Sequence, residues 1–199
     1  MLCKYCKKAA VYKCRVCGSL LCAGHTKLGT MCASHAQKLD FTYTICKVAS
    51  ERGRSVIRDL VKRFWGEEEQ LTFDKKYVVT KLPAYAAKTN NRFIGFISFA
   101  SVAHALVVVA LGVLPRYQWS GVGNGLMEKV ESEAKRLGKK EILVSTSNDD
   151  LPALAFYQLL GFQIFEVKPN VIAEKHGTVL QGIGGLPVRD ELRLQKKLI

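Results

Sequence analysis

Eight residues of the types that commonly bind metal ions lie within the first 35 positions of this 199-residue chain. They form four close pairs with two residues between the members of each: Cys3 and Cys6, Cys14 and Cys17, Cys22 and His25, Cys32 and His35. Such a pair lets one tight turn direct two ligands at one ion, and eight ligands are what two tetrahedral zinc ions require. About 35 residues bury too little apolar surface to fold alone, so bound metal would supply folding free energy. The pattern predicts a zinc-stabilised module.

The spacing of the pairs favours one assignment to the two ions. Sequential pairing leaves only seven residues between Cys6 and Cys14. Interleaved pairing leaves 15 residues between Cys6 and Cys22 and 14 between Cys17 and Cys32, close to the usual window of roughly 12–20. We predict one site of Cys3, Cys6, Cys22 and His25, and a second of Cys14, Cys17, Cys32 and His35. This order resembles the cross-braced B-box and AN1-type zinc fingers over residues 3–35, although the last pair departs from both patterns.

A disulfide framework or a set of unconnected thiols is the alternative interpretation of these cysteines. Disulfides belong to oxidising compartments, and no secretory signal follows Met1. The resemblance to B-box and AN1 fingers implies protein–protein contact. Residues 1–40 carry seven Lys or Arg against one Asp, and the whole chain is formally +13, so nucleic acid or another anionic partner stays open, as does a merely solvated basic surface. Cys46 is predicted to be a small buried apolar residue.

Cysteine and histidine are concentrated before residue 36, and a short polar stretch follows. We therefore place a domain boundary near residues 37–42, between a module of residues 1–38 and a domain of residues 41–199. Apolar periodicity predicts helices over residues 50–65, 121–137 and 151–160 and strands over 41–48, 74–80, 92–100, 105–113, 141–146, 162–168 and 189–197. Alternating strands and helices predict an α/β (α+β) domain with a mixed central sheet flanked by helices. The most apolar run, residues 99–115, is shorter than a membrane span. We therefore expect no membrane association and a cytoplasmic location.

A glycine-bearing loop follows the most apolar predicted strand. Pro115 ends that strand, and Gly121, Gly123 and Gly125 crowd the start of the next helix. Free backbone N–H groups and the helix dipole at such a position favour a bound phosphate. The spacing does not match the G-x-G-x-x-G pattern of dinucleotide-binding loops.

The segment Gln118-x-x-Gly121-x-Gly123 resembles the Q/R-x-x-G-x-G/A loop of the GNAT acetyltransferase superfamily. Further on, the segment from Asn148 to Phe162 resembles that family's N-x4-A-x2-F-Y-x3-G-F pattern, and residues 185–194 resemble its closing strand. The similarity spans residues 43–199. It implies a domain that transfers an acetyl group from acetyl-CoA to an amine.

The resemblance also implies roles for individual residues. Backbone groups of Leu111 and Val113 would lie against the pantetheine arm, one of them as an oxyanion donor, and Asn148 would contact the same arm. Tyr157 would protonate the departing thiolate as general acid, its alternative role being a core tyrosine. The pyrophosphate would lie against the loop residues Gln118, Trp119, Ser120, Gly121, Val122, Gly123 and Asn124.

Two departures from the family pattern leave the chemistry open. Trp119 stands where glycine or another small or basic residue is usual, and the strand over residues 106–113 has no carboxylate to deprotonate the amine. The base would be water, His104 or an acid from residues 67–69. We expect a protein or other macromolecular acceptor recruited by the zinc module. A small amine, a non-catalytic adaptor that senses acyl-CoA, and a nucleic-acid-associated protein are the alternatives.

Overall fold

The computed structural model describes residues 1–14, 18–25, 31–32 and 41–198. Four α-helices lie in this described part: α1 (Glu51–Trp65), α2 (Val122–Arg136), α3 (Leu151–Leu159) and α4 (Val171–His176). The strands in the same residues are β1 (Tyr12–Lys13), β2 (Leu20–Leu21), β3 (Thr44–Lys47), β4 (Glu69–Thr72), β5 (Lys75–Val78), β6 (Ala84–Thr89), β7 (Arg92–Val102), β8 (Ala105–Val113), β9 (Glu141–Ser147), β10 (Gln163–Lys168), β11 (Leu180–Gln181), β12 (Pro187–Val188) and β13 (Glu191–Lys197).

A seven-stranded sheet in the order β10-β13-β9-β8-β7-β6-β3 forms the centre of the larger domain. Strands β8 and β9 pair in parallel, and the other neighbours in this sheet are antiparallel. Two-stranded ribbons pair β1 with β2, β4 with β5 and β11 with β12. The predicted mixed sheet flanked by helices is confirmed.

Helices cover both faces of the sheet. On one face α1 packs Ile57 and Val61 against Phe96 of β7. On the other, α2 packs Leu126 and Val130 into a cluster with residues of β7, β8 and β9, and α3 contributes to the same cluster. Because successive strand residues point to opposite faces, strands covered on both sides are apolar throughout, as the sequence of β8 shows.

The predicted helix boundaries follow from capping residues. Ser50 caps α1 by accepting a hydrogen bond from the backbone N–H of Gly53 at 3.2 Å. Gly66 ends that helix in the left-handed conformation, with φ of 79°, which glycine adopts without a steric cost. Predicted helix ends therefore agree with the observed ones to within a residue or so.

The sequence did not predict strand β6, helix α4 or the short strands β1, β2, β4, β11 and β12. Strand β6 is rich in alanine, a residue with weak strand preference, and helix α4 has only six residues. The strand predicted over residues 74–80 is one arm of the β4–β5 hairpin. The predicted boundary between the two domains falls largely on residues 33–40, which lie outside the described residues. Within the part of the chain that the structure describes, no helix is long and apolar enough to cross a membrane.

The parallel strands β8 and β9 separate before they end. Their pairing runs only from Ala105 opposite Glu141 to Val108 opposite Val144. A register shift between β7 and β8 leaves Val109 without a partner in that ladder, and a bulge of this kind bends the strand that carries it. The remaining parts of β8 and β9 therefore border a gap in the sheet.

Candidate active site and metal centre

Four of the predicted metal ligands come together in the N-terminal segment. The ligand atoms of Cys3, Cys6, Cys22 and His25 all lie within 4.8 Å of one another. His25 Nδ1 is 3.3 Å from the Sγ of Cys22 and 3.6 Å from that of Cys3, and the Sγ atoms of Cys6 and Cys22 are 3.7 Å apart. These residues are the predicted interleaved set, since the structure brings Cys22 and His25 to the first cysteine pair.

The donor set and its spacing fit a tetrahedral zinc ion. With Zn–S bonds of about 2.3 Å and Zn–N bonds of about 2.0 Å, tetrahedral ligands stand about 3.8 Å apart for two sulfurs and about 3.5 Å apart for sulfur and nitrogen. A disulfide would need about 2.05 Å between sulfurs, and no disulfide joins the described cysteines. Burial raises the pKa of the Cys3 thiol, but hydrogen bonds from backbone groups of neighbouring residues outweigh it and lower that pKa to about 6. A lowered pKa favours the thiolate that binds metal.

Half of the second predicted site lies in the described residues. Cys14 and Cys32 are both buried, and the backbone N–H of Cys32 donates to the Sγ of Cys14 at 3.4 Å. This proximity is what interleaved pairing requires, because sequential pairing would place these cysteines at different ions. Cys17 and His35, the other two predicted ligands, lie outside the described residues.

The glycine-bearing loop leads into the N-terminus of α2. Gly121 precedes the helix with φ of 90°, and no side chain caps this end. The first backbone N–H groups of a helix have no partner within it, so those of α2 are available to an anionic ligand. Trp119 has φ of 67°, a left-handed conformation that favours glycine. The backbone thus explains why glycine suits the position of Trp119.

Backbone groups of β8 face the gap between β8 and β9. The side-chain Nε2 of Gln118 donates to the carbonyl oxygen of Val113 at 2.9 Å, while the N–H of Leu114 bonds back to Ile94 of β7. Because the N–H and C=O of one strand residue point the same way and alternate residues repeat that direction, the N–H groups of Val113 and Leu111 point into the gap.

A cleft of about 390 Å³ opens beside this gap. Among the predicted cofactor-binding residues, seven line it: Leu111, Val113, Gln118, Trp119, Gly121, Gly123 and Asn124. The opposite wall comes from α3 and its N-cap and contains Tyr157, the predicted general acid. The other residues of this wall were not predicted: Asp150, Pro152, Ala153, Phe156, Leu159 and Leu160. The i, i+3, i+4, i+7 spacing of this apolar face was visible in the sequence, but nothing there distinguished a cleft wall from core.

Three predicted cofactor residues lie elsewhere. Val122 is fully buried in the core, and the hydroxyl of Ser120 donates to the carbonyl oxygen of Tyr117 at 2.5 Å. Asn148 braces the backbone of residues 187–190: its Oδ1 accepts the N–H groups of Arg189 and Asp190, and its Nδ2 donates to the oxygen of Pro187. The structure gives the side chain of Asn148 this bracing role, in place of one in the cleft wall.

Tyr157 lies at the inner end of the cleft. It is 6% exposed, with its ring packed edge-on against Phe156 and Phe162. Burial, and secondarily the charge of Asp150, raise the pKa of Tyr157 well above its ordinary value. The phenol therefore stays protonated at neutral pH, as an acid catalyst must.

A second cavity of about 320 Å³ lies on the other side of the gap. It shares Leu111, Asp150, Ala153 and Tyr157 with the cleft. Its remaining walls come from the end of α1 and the residues after it, β4, β8, β9, α4 and the segment that leads to β13. These segments are far apart in sequence, which is why no local motif indicated the cavity.

The residues that the sequence suggested as candidate bases lie in different parts of the domain. His104 lies just before β8, at the end opposite the gap, and its Nε2 is 3.0 Å from Oε1 of Glu141. Glu67 lines the second cavity and pairs with Lys175 of α4. The next two glutamates point to other partners: Glu68 to Thr80, Arg58 and Lys62, and Glu69 to Lys76. Trp65 also lines the second cavity.

Similar proteins place this architecture among known folds. The uncharacterised protein YxbD of Bacillus subtilis (strain 168) is 29% identical over 152 residues, covering 72% of this chain and 94% of the relative. An IAA acetyltransferase from Bacillus cereus ATCC 14579 superposes with a TM-score of 0.67 at 21% identity, covering 79% of this chain and 100% of that one. A GNAT family acetyltransferase from Elizabethkingia anophelis, with acetyl-CoA bound, gives 0.59 at 19%, covering 78% and 98%. At these identities the two structures share the fold.

The family itself follows from a longer match. The model of the acetyltransferase (GNAT) family matches residues 51–162, more than half of the chain. That stretch runs from α1 through α3 and contains the gap between β8 and β9, the loop before α2 and Tyr157. The chain therefore belongs to the GNAT acetyltransferase family.

Proposed function

We propose that this protein transfers an acetyl group from acetyl-CoA to an amine on a protein or other macromolecule, which the N-terminal metal module recruits. The observation that carries the proposal is the meeting of two cavities at Tyr157, through the gap between β8 and β9. One cavity ends at an uncapped helix N-terminus suited to phosphates. The other is open to an acceptor.

In this proposal the cleft holds acetyl-CoA, with its pyrophosphate at the N-terminus of α2 and its pantetheine arm along β8. The N–H groups of Leu111 and Val113 point into the gap, where one of them stabilises the oxyanion that forms on the thioester carbonyl. Tyr157 donates its proton to the sulfur as the C–S bond breaks. Both substrates are bound together, because each has its own cavity.

In the same proposal, two zinc ions stabilise the N-terminal segment. One is bound by the four clustered ligands and the other by a second site that contains Cys14 and Cys32. The excess of lysine and arginine in residues 1–40 supports an acidic macromolecule as the recruited partner. Binding of such a partner should weaken steeply as salt is raised.

The test measures release of the CoA thiol with acetyl-CoA and a panel of acceptors: a peptide with a free N-terminal amine, a lysine peptide and a polyamine. We expect turnover with at least one acceptor, and we expect acetyl-CoA to raise the melting temperature by mass action. Tyr157→Phe should lower kcat by about 10²-fold or more while leaving the Kd of acetyl-CoA within about threefold. Equal kcat in Tyr157→Phe would remove its role as acid. Absence of both acetyl-CoA binding and turnover in the unaltered protein would remove the proposed function.

A further inference from the structure

The junction between the two cavities contains only a few residues. Leu111, Asp150, Ala153 and Tyr157 line both the cofactor cleft and the second cavity. A side chain that takes the proton of the attacking amine directly must stand at this junction, because the reacting carbon lies between the two substrates. Of the four residues, only Asp150 and Tyr157 have ionisable side chains.

The position of Asp150 on α3 directs it toward the same space as Tyr157. Asp150 is the N-cap of α3, and its Oδ1 accepts the backbone N–H of Ala153 at 3.0 Å. Within the described chain, the other carboxylate oxygen, Oδ2, has no hydrogen-bond donor. Tyr157 follows seven residues later, which is close to two full turns and hence the same helix face. The side chain of a helical tyrosine points back toward the N-terminus of the helix. The Tyr157 hydroxyl is therefore closer to the Asp150 carboxylate than the helical rise of about 10 Å between the two backbones.

Other ionisable groups line the second cavity but not the cofactor cleft. Glu67 pairs with Lys175, which leaves neither free to exchange protons with an amine. Glu191 accepts hydrogen bonds from a backbone N–H and from Arg193. His176 lies on the exposed end of α4. Each of these groups is thus away from the junction or already engaged.

We propose that Asp150 is the general base of the acetyl transfer and forms an acid–base pair with Tyr157 across the reacting carbon. The assignment rests on the proposed function and supplies the carboxylate that β8 lacks. It also deepens that function, because a base at the junction serves an acceptor that arrives as an amine from the second cavity.

The proton balance of the step is as follows. The neutral amine attacks the thioester carbon and forms a C–N bond, and the nitrogen proton passes to the carboxylate of Asp150. The C–S bond then breaks with its electron pair on sulfur, and Tyr157 gives its proton to that sulfur. The products are the amide and the CoA thiol. Exchange with solvent removes the proton from Asp150 and returns one to Tyr157.

The local environment favours this division of roles. Burial raises the pKa of Asp150, the hydrogen bond from Ala153 lowers it, and the charge of Asp149 raises it, with a net upward shift. A base with a raised pKa accepts a proton more readily near neutral pH. Beyond Asp149 and Tyr157 on the same segment, the groups that face Asp150 across the cavity are Glu67, Lys175, His176 and Glu191.

Asp150→Asn tests the proposal without removing the helix cap, because asparagine and aspartate cap helices about equally well. We expect kcat to fall by about 10²-fold or more, with the KM for acetyl-CoA within about threefold and the urea midpoint unchanged. The acidic limb of the kcat profile, which reports protonation of the base, should disappear. Asp59→Asn makes the same chemical change at an exposed position of α1 and should leave kcat and the profile as they are.

The outcomes separate the base from the wider function. An active wild-type protein whose Asp150→Asn variant keeps its kcat and its acidic limb would overturn the assignment of Asp150 alone. Loss of that limb in His176→Asn or Glu67→Gln, with Asp150→Asn unaffected, would transfer the role to that residue. A wild-type protein with no turnover and no acetyl-CoA binding would overturn the proposed function, and the base with it.

Discussion

Arg193 is a buried cation whose removal tests how one wall of the second cavity is held. Its side chain is 5% exposed and reaches three carboxylates: Asp74 of the β4–β5 turn at 2.8 Å, Glu166 of β10 at 2.9 Å and Glu191 of its own strand at 2.8 Å. Glu191 is as buried as Arg193, whereas Asp74 is 60% exposed. The contact with Glu191 should therefore dominate the energetics, since exposed pairs contribute about 0–1 kcal/mol.

The turn beside Arg193 depends on the same cluster. Phe73 and Asp74 have φ of 51° and 59°, a left-handed conformation that costs a residue other than glycine about 1–2 kcal/mol. The N–H of Phe73 donates to Oε1 of Glu191 at 3.0 Å, and its ring centre lies 5.1 Å from the guanidinium carbon of Arg193. Without Arg193 the turn loses the ion pair with Asp74 and the cation–π contact with Phe73.

Arg193→Met keeps the length and apolar volume of the side chain but leaves Glu191 buried without a counter-charge. Breaking a buried pair in this way costs about 3–5 kcal/mol. With a urea slope of about 2 kcal/mol per M, the unfolding midpoint should fall by roughly 1.5–2.5 M. The fluorescence of Trp65 and Trp119, the two tryptophans of the chain, reports this domain. Adding Glu191→Gln should recover a large part of the loss.

The matched control is Arg136→Met. Arg136 lies 2.7 Å from Glu133, but its side chain is 65% exposed, so its removal should leave the urea midpoint almost unchanged. Equal effects of the two arginine substitutions would refute the argument from burial. A loss below about 1 kcal/mol in Arg193→Met would do the same.

Lowering the pH should reduce the difference in unfolding free energy between the wild-type protein and Arg193→Met. Hydrogen bonds from Arg193 lower the pKa of both Asp74 and Glu166. A carboxylate whose pKa is lowered by folding stabilises the native state above its unfolded pKa of about 4, and that stability is lost as pH falls through the native pKa. The difference in unfolding free energy should thus be largest near neutral pH and shrink below about pH 4. A constant difference from pH 7 to pH 3 would contradict this linkage.

Two further substitutions test other parts of the molecule. A Cβ on Gly125 would lie 2.9 Å from the hydroxyl of Tyr43, which donates to the carbonyl of Gly121. Overpacking should outweigh the better helix propensity of alanine, so Gly125→Ala should cost about 1 kcal/mol in urea unfolding; a stabilised variant would show that Tyr43 moves freely. Cys22→Ser should reduce the zinc content from two ions per chain to one, as measured by elemental analysis, whereas Cys46→Ser should keep both. Fewer than two ions in the unaltered protein would contradict the interleaved sites.

Local sequence patterns predicted most elements of the larger domain. The strand over residues 105–113 was evident from its continuous apolar run, and helix α2 from its 3.6-residue period and the glycine after it. Strand β6 was not predicted because alanine has little preference for strands. Ala86 and Ala87 are fully buried by packing between neighbouring strands and helices, which is a tertiary effect that overrides local propensity.

The phosphate loop could be predicted from a local motif, whereas the second cavity could not. The phosphate loop is contiguous, so a short motif from Gln118 to Gly123 was enough to locate it. The second cavity combines residues such as Glu67 and Lys175, which are 108 positions apart. Asn148 shows the converse limit of motifs. Its place at the end of β9 was predicted, but its side chain serves a backbone segment about 40 residues away.

The first half of β8 is buried too deeply to hold a carboxylate. Leu106, Val107 and Val108 are at most 2% exposed, with helices against both faces of the sheet. A charge at these positions would be desolvated without a partner, at a cost of several kcal/mol. The N-cap of α3 offers a different solution, since the backbone N–H of Ala153 holds one oxygen of Asp150 and the helix end favours a negative charge. There a carboxylate can be kept charged, partly buried and in contact with both cavities, whereas Leu111, the residue of β8 that also lines both, is apolar.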